Sequence, residues 1–440
     1  MQKLGSMTLK DCWYNLFAFL IPFICISGVT FFPYYLRTPL LLTVPFVSLL
    51  ISVANTKKIT LNLLSGFWFI VAGVICVSCF YSYDKDSTLE GGIVFIASSV
   101  LLFLDYPEKV WQKVMTVTNV FVVVFALSIV ASVVIDDLIA GKLWFIVNPL
   151  RNDSTTAQIQ REVGLGVYSG LSGEAADASL TMNVGLGILF AKFFSGEKLK
   201  KIDYAEFVLV AVALILTGKR MLFLIPIVLF VVMMLISHIK GKFVKFVAVV
   251  ILAVSAILLL SAFIPQMSVL YEKFFQDTSS KYYDPLSRRG ELWRYCFMMF
   301  EDSPLFGLGY ASYNDYAYNH GYLRNGERWD YYGHNCYYEL LGEVGIIGAV
   351  AIFGLLIFAL VITVKYLRSK DLPQTQRVLL MFSFYIQAML FIYCASGNVL
   401  YYENQIFLWF VAMSILLCVH KSHAKKKSLF NTNERLYVNG

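Results

Sequence analysis

Two kinds of side chain in this sequence are suited to chemistry on an anionic substrate: one histidine at the edge of an apolar run, and a few arginines in unexpected loops. The histidines are His238, His320, His334, His420 and His423. Imidazole titrates near neutral pH, so it is the usual group for orienting or deprotonating a hydroxyl. His238, His420 and His423 fall in inward basic loops by the topology below, and His320 stands in a tyrosine-rich stretch without a motif. His334 is left, next to Asn335 and just ahead of a long apolar run. Its residue type alone does not separate it from an ordinary solvated interfacial histidine. Arg161, Arg220 and Arg289 lie on the side where basic residues are scarce. Arginine stays charged and its planar fork can hold phosphate oxygens in pairs. The competing reading is an arginine that snorkels to the membrane interface. Glu339 and Glu343 are spaced four apart on one helical face beyond His334, as orienting carboxylates or as packing groups.

These residues need elements to position them, and composition says which kind. Of 440 residues, 58% are apolar, 16% aromatic and 15% charged. Soluble proteins carry about 25% charge, so a soluble enzyme, a disulfide scaffold and a disordered chain are all excluded. The expected fold class is all-α: a polytopic membrane bundle of about 12 transmembrane helices with a long, partly helical outer loop. Apolar runs place helices near 13–32, 38–55, 62–81, 89–105, 115–135, 175–195, 203–218, 220–238, 243–264, 337–365, 378–396 and 402–419. Three regions follow: an N-terminal bundle over 1–264, an outer loop over 265–336 expected to be catalytic, and C-terminal helices with a basic tail over 337–440. The first run begins like a signal sequence after Lys3 and Lys10, yet it is long enough to span and lacks a small-x-small cleavage site, so it reads as a retained helix.

The net charge of +7 is explained mostly by orientation. Lys57/Lys58, Lys109/Lys113, Lys198/Lys200/Lys201, Lys240/Lys242/Lys245, Lys365/Arg368/Lys370/Arg377 and Lys421 all fall in alternate loops. With twelve spans those loops share one side, which is then cytoplasmic along with both termini. No nucleic-acid partner is expected; the lipid bilayer is. The opposite loops are short except near 136–174 and 265–336, and Thr217-Gly-Lys-Arg220 forms a tight basic turn between two runs. Positive charge there runs against the orientation bias and suits an anionic substrate approached from outside.

The 265–336 loop is too long to be structureless unless it is functional. Met267–Gln276 is amphipathic and Arg289–Glu301 has apolar residues at helical spacing. Tyr310, Tyr313, Tyr316, Tyr318, Tyr322, Trp329, Tyr331 and Tyr332 follow, suited either to stacking on sugar faces or to an interfacial aromatic belt. Of the eight cysteines, most lie inside apolar runs; Cys76 and Cys79 lack the further ligands a metal site needs, and Cys296 and Cys336 leave a disulfide open.

Ser287-Arg-Arg-Gly-Glu-Leu-Trp293 and Asp302-Ser-Pro-Leu-Phe-Gly-Leu-Gly309 resemble a stretch of the O-antigen ligase/polymerase family, in which an Arg stands four before a Trp and a Pro-Leu-Phe-Gly-x-Gly turn follows. Gly333-His-Asn-Cys-Tyr-Tyr-Glu-Leu-Leu-Gly-Glu-Val-Gly-Ile-Ile-Gly348 is similar to that family's His-Asn start of a Glu-x-Gly-Ile-Ile-Gly helix. Leu216-Thr-Gly-Lys-Arg220 resembles its Thr-x-Ser-Arg turn, with Lys219 where Ser is usual. Ser172-Gly-Glu174 resembles a Glu-Pro-Ser stretch of polymerases, with Ala175 in place of Pro. The resemblance covers about 160–365. It implies a GT-C-type inverting glycosyltransferase of the bacterial cytoplasmic membrane, with no cofactor and no metal, acting at the periplasmic or extracellular side. The implied partners are a polyprenyl (undecaprenyl) diphosphate-linked glycan donor, a glycan acceptor and a chain-length regulator. It assigns His334 to catalysis and Arg220 and Arg289 to the diphosphate, and offers Arg161, Glu174, Trp293, Tyr332 and Asn335 as sugar or acceptor contacts. The expected activity is polymerisation of O-antigen or capsular repeat units. The alternatives are a ligase delivering glycan to lipid A core or another surface acceptor, and a polytopic transporter. Few charges inside the spans and no clear repeat of halves disfavour transport.

Overall fold

A computed structural model describes residues 8–26, 34–135, 161–237, 289–322 and 332–438. Eleven of the expected apolar runs fall on described residues, and each forms a helix. In chain order they are α1 (Leu9–Ile26), α2 (Tyr34–Thr56), α3 (Ser65–Tyr81), α4 (Lys85–Ser99, continued by a 3-10 turn Val100–Phe103), α5 (Glu108–Val134), α6 (Ala175–Phe194), α7 (Lys201–Leu216) and α8 (Arg220–Ile236). Two loop helices, α9 (Arg289–Asp302) and α10 (Tyr313–Asn319), precede α11 (Cys336–Leu367), α12 (Gln374–Tyr393) and α13 (Glu403–Val438). No strand occurs among the described residues. The expected run 243–264 and the amphipathic Met267–Gln276 lie outside the described residues, as do Trp329 and Tyr331.

The bundle is a helical membrane fold. Seven described helices are long and apolar enough to cross a bilayer: α1, α2, α4 with its 3-10 turn, α5, α11, α12 and the first part of α13. Helices α3 and α8 are apolar but shorter. The expected count of twelve is thus neither reached nor refuted among the described residues. Large apolar side chains remain exposed on Leu50, Phe80, Val120, Leu235 and Val350. In water such a surface would be a liability; facing lipid, it is the natural outer wall of the bundle. Helices α12 and α13 form the interior instead, with 78% and 72% of their spanning windows buried.

Several buried polar groups in this interior are paired, which offsets the cost of burying them in a low-dielectric medium. Asn183 on α6 donates to the Leu222 carbonyl on α8 at 2.9 Å and accepts from the Tyr385 hydroxyl on α12 at 3.2 Å. Ser179 on α6 donates to Thr217 at 2.5 Å, where α7 ends. These bonds fix the Thr217-Gly218-Lys219 turn against α6. Gly218 has φ 63, a left-handed conformation that favours glycine at a helix end.

A second positioning device joins the loop helices to α11. At Gly345 the backbone leaves the helix (φ 63, ψ −172), opening the hydrogen-bond ladder of α11. The turn Pro304–Gly309 takes over the released groups. Leu308 and Gly309 donate to the carbonyls of Gly342 and Glu343 at 3.2 and 2.7 Å. Ile346 and Ile347 donate to those of Pro304 and Leu305 at 2.9 and 3.2 Å. The Glu343 carboxylate accepts from the backbone amides of Ala311 and Tyr313 at 2.8 and 3.1 Å. The kink is therefore a docking seam for α9 and α10 rather than a lapse in the helix.

Candidate active site

The sequence starts several elements at one end of the bundle, and their first residues meet there. Arg289 opens α9, Lys219 caps α8, Glu174 caps α6, and His334 lies just ahead of α11. The α12–α13 turn closes the group. The Cys336 amide donates to the Cys394 carbonyl at 2.8 Å, and the Tyr310 hydroxyl to the Leu400 carbonyl at 2.5 Å.

His334 is held on three sides. The preceding amide, that of Gly333, donates to the Glu339 carboxylate at 3.0 Å. The following residue, Asn335, caps α11 by accepting from the amides of Tyr337 and Tyr338 at 3.0 and 3.3 Å. The ring itself meets the Asn398 amide, with Asn398 Nδ2 3.2 Å from His334 Nδ1. His334 has φ 51, unusual for a residue with a side chain; such a conformation persists where its surroundings over-determine it. Burial, then the positive charges of Arg289 and Lys219, push the His334 pKa down to about 4. The imidazole is neutral at physiological pH, next to two cations. A neutral imidazole can handle a hydroxyl proton, while its cationic neighbours suit a phosphate.

The candidate residues separate into those the fold gathers and those it does not. Arg289 and His334 come together as expected, and Trp293 sits one turn beyond Arg289 on α9 with its ring edge-on to Tyr338, centroids 5.4 Å apart. The Trp293 indole N–H is buried without an acceptor among the described residues. Arg220 is exposed, and the cation of that turn whose charge reaches His334 is its neighbour Lys219. Tyr332 stacks on Tyr401 (5.6 Å, 20°) and meets Tyr402 edge-on, giving an aromatic step beside His334. Glu174 is half-buried and within electrostatic reach of Tyr393 and Tyr402, as is Asp177 one turn along α6. Arg161 is exposed. Asn335 has its side-chain oxygen committed to the helix cap.

The tyrosine-rich stretch divides too. Tyr310, Tyr313 and Tyr316 are buried and bond to Leu400, Leu292 and Asp302, so they pack the loop domain rather than offer faces to a sugar. Tyr318 is exposed. Cys296 and Cys336 are both free and buried, and burial together with the charge of Glu339 holds the Cys296 thiol well above its usual pKa.

Sequence reading missed the α12–α13 turn. Asn398, Tyr401 and Tyr402 belong to it, and Asn404 at its far end reaches the Asp177 carboxylate at 3.4 Å. Close by, Glu403 pairs with Arg37 at 3.5 Å and accepts from Thr38 at 2.8 Å. A signal was present: a Gly-Asn and a Tyr-Tyr-Glu-Asn sequence between two apolar spans, at the same end as His334. No group of three or more His, Cys, Asp or Glu arranged for a metal occurs among the described residues.

Residues 205–353, about a third of the chain, match the family model described as O-antigen ligase. The matched segment runs from α7 through the Gly345 kink and includes Lys219, Arg220, Arg289, Trp293 and His334. It supports the O-antigen ligase/polymerase likeness seen in the motifs. No curated protein matches the chain.

Proposed function

We propose that this membrane enzyme of the O-antigen ligase/polymerase type polymerises glycan repeat units, taking each glycan from a polyprenyl diphosphate-linked donor at the outer face of the cytoplasmic membrane. The observation that carries this reading is the neutral His334 beside Arg289 and Lys219 at one end of an apolar bundle. In the proposed reaction an acceptor hydroxyl attacks the anomeric carbon of the donor glycan and a new C–O bond forms. The bond from that carbon to the phosphate oxygen breaks, and the electron pair leaves with the diphosphate. Attack opposite the leaving group inverts the anomeric centre.

His334 hydrogen-bonds the acceptor hydroxyl and takes its proton as the new bond forms. Arg289 and Lys219 stabilise the negative charge growing on the leaving diphosphate, the kind of pre-arranged electrostatic help that dominates many transfer reactions. Arg220, exposed at the same helix start, meets the lipid-side phosphate. The Tyr332–Tyr401 step suits a sugar face, with Glu174 and Trp293 as further glycan contacts. Delivery of finished glycan to lipid A core or another acceptor would use the same donor groups.

The test is complementation of a strain lacking the gene, with surface glycan read as a gel ladder. His334→Ala and Arg289→Ala should each abolish the ladder at normal expression, since an acid–base group alone is worth about 10²–10⁴ in rate. Normal ladders from both variants would end the glycosyltransferase reading. Gene loss leaving single-repeat products supports a polymerase, whereas long chains stranded on the lipid carrier would replace that reading by a ligase.

A further inference from the structure

A residue that touches the His334 ring lies outside every motif and outside the family-matched segment. Asn398 is 2% exposed in the α12–α13 turn, with its Nδ2 3.2 Å from His334 Nδ1. We propose that Asn398 is a positioning residue for the transfer step, gripping the His334 ring at Nδ1 in either of its tautomers. This rests on the glycosyl-transfer reading of the site.

Three observations converge on it. First, a buried carboxamide is costly unless its polar atoms are used, and the fold aims the nitrogen of this one at an imidazole, while its oxygen is buried without a hydrogen-bond partner among the described residues. Second, the turn that carries Asn398 is rigidly tied to the His334 segment by the Cys336–Cys394 backbone bond and by Cys336 Sγ, which donates to the Gly397 carbonyl at 3.2 Å. Third, the Asn398 carbonyl accepts from the amides of Tyr401 and Tyr402 at 2.9 and 3.2 Å, so the backbone is fixed independently of its side chain. The ring, the grip and the frame that carries both are thus one unit.

An amide has a property here that neither a carboxylate nor an alkyl group shares. Its nitrogen donates to an unprotonated Nδ1, as in the resting site. Turned over, its oxygen accepts from Nδ1–H and leaves Nε2 as the basic nitrogen. Asparagine therefore serves both tautomers of a histidine that must take up and release a proton. Aspartate would serve only the protonated Nδ1, and leucine neither. The titratable groups around His334 include Arg289 from α9, Lys219 from the turn before α8 and Tyr332 of its own segment, with Glu339 from α11 bonded to the neighbouring Gly333 amide, Tyr402 beside Asn398, and Glu174 and Asp177 behind Tyr402.

The experiment uses the full-length protein in nanodiscs with a polyprenyl diphosphate-linked glycan donor, following kcat/KM against pH for wild type, Asn398→Asp, Asn398→Leu and His334→Ala. Asp nearly matches Asn in volume and Leu matches its branched shape at a larger volume, so thermal unfolding checks that each variant folds. Asn398→Leu should lower kcat/KM by about 10–100-fold, a part of what a positioned acid–base group contributes. In Asn398→Asp the new carboxylate stabilises the imidazolium, so the acid limb of the profile should move to higher pH by about one unit or more. Wild-type rates and an unmoved acid limb in both variants, with His334→Ala inactive, would overturn the role of Asn398 and leave the glycosyl-transfer reading standing. A fully active His334→Ala would instead overturn that reading and this inference with it.

Discussion

His334 is a histidine whose surroundings oppose its protonation. Its pKa near 4 means that the ring stays neutral down to mildly acid pH, where an exposed histidine of pKa about 6.5 would be mostly charged. Because the depression comes from burial and from Arg289 and Lys219, it should relax when either cation is removed. Lys219→Ser removes one like charge, so the His334 pKa rises and the acid limb of kcat/KM moves up, by about half to one pH unit. A bound diphosphate neutralises the same two cations, so the acid limb of kcat, which reports the substrate complex, should lie at higher pH than that of kcat/KM. Coincident limbs, together with an unmoved limb in Lys219→Ser, would mean that these charges do not act on the ring. At this scale the sequence was partly legible. Residue type and motif singled out His334 and Arg289. They favoured Arg220 over Lys219, because a family pattern names the common residue and does not show which of two neighbouring side chains turns inward. Asn398 was invisible, since its importance comes from a contact across 64 positions of chain.

At the scale of elements, glycine spacing in two motifs is explained by backbone meeting backbone. A Cβ on Gly307 would stand 2.2 Å from the Glu343 carbonyl, and one on Gly345 would stand 2.3 Å from the Leu305 carbonyl carbon. Both glycines also have positive φ, at 71 and 63. Gly307→Ala should therefore cost on the order of 2–4 kcal/mol through combined clash and strain. The loss would appear as a lower unfolding temperature in detergent and a thinner glycan ladder. Gly66→Ala, in open space on α3, should leave both unchanged. Equal stability of Gly307→Ala and wild type would mean that the Pro304–Gly309 turn is not pinned to α11. Glu343 belongs to this seam, bonded to two loop amides, so its place in the motif is accounted for by docking rather than by chemistry. Helix positions were readable from apolar runs, because lipid and core both demand apolar side chains over about 20 residues. The kink was not, because a Gly inside an apolar run fits an unbroken helix equally well until its partner turn is seen. Similarly, the tyrosines of the outer loop read either as sugar platforms or as an interfacial belt, yet Tyr310, Tyr313 and Tyr316 bury their rings and satisfy their hydroxyls within the protein.

For the whole molecule, the two ends of the bundle differ in chemistry. One end gathers His334, Arg289, Lys219, Glu174 and the aromatic step. The other is stitched by ordinary pairs: Lys192 with Asp203 at 2.8 Å, Gln376 with Glu108 at 2.6 Å, and Lys421 with Asp105. The excess of basic residues in loops at this second end predicts that it faces the cytoplasm, which puts the His334 end outside, where a lipid-linked glycan would be met. Cysteine labelling decides the matter. In a background with Cys12 and Cys76, the two exposed native thiols among the described residues, replaced by serine, Tyr318→Cys marks the His334 end and Glu197→Cys the opposite loop; both native side chains are exposed. A membrane-impermeant maleimide added to intact cells should label the first and spare the second, with both labelled once the membrane is opened. The reverse pattern would place His334, Arg289 and Lys219 in the cytoplasm and exclude an outer-face glycan transfer, whatever the chemistry of the site.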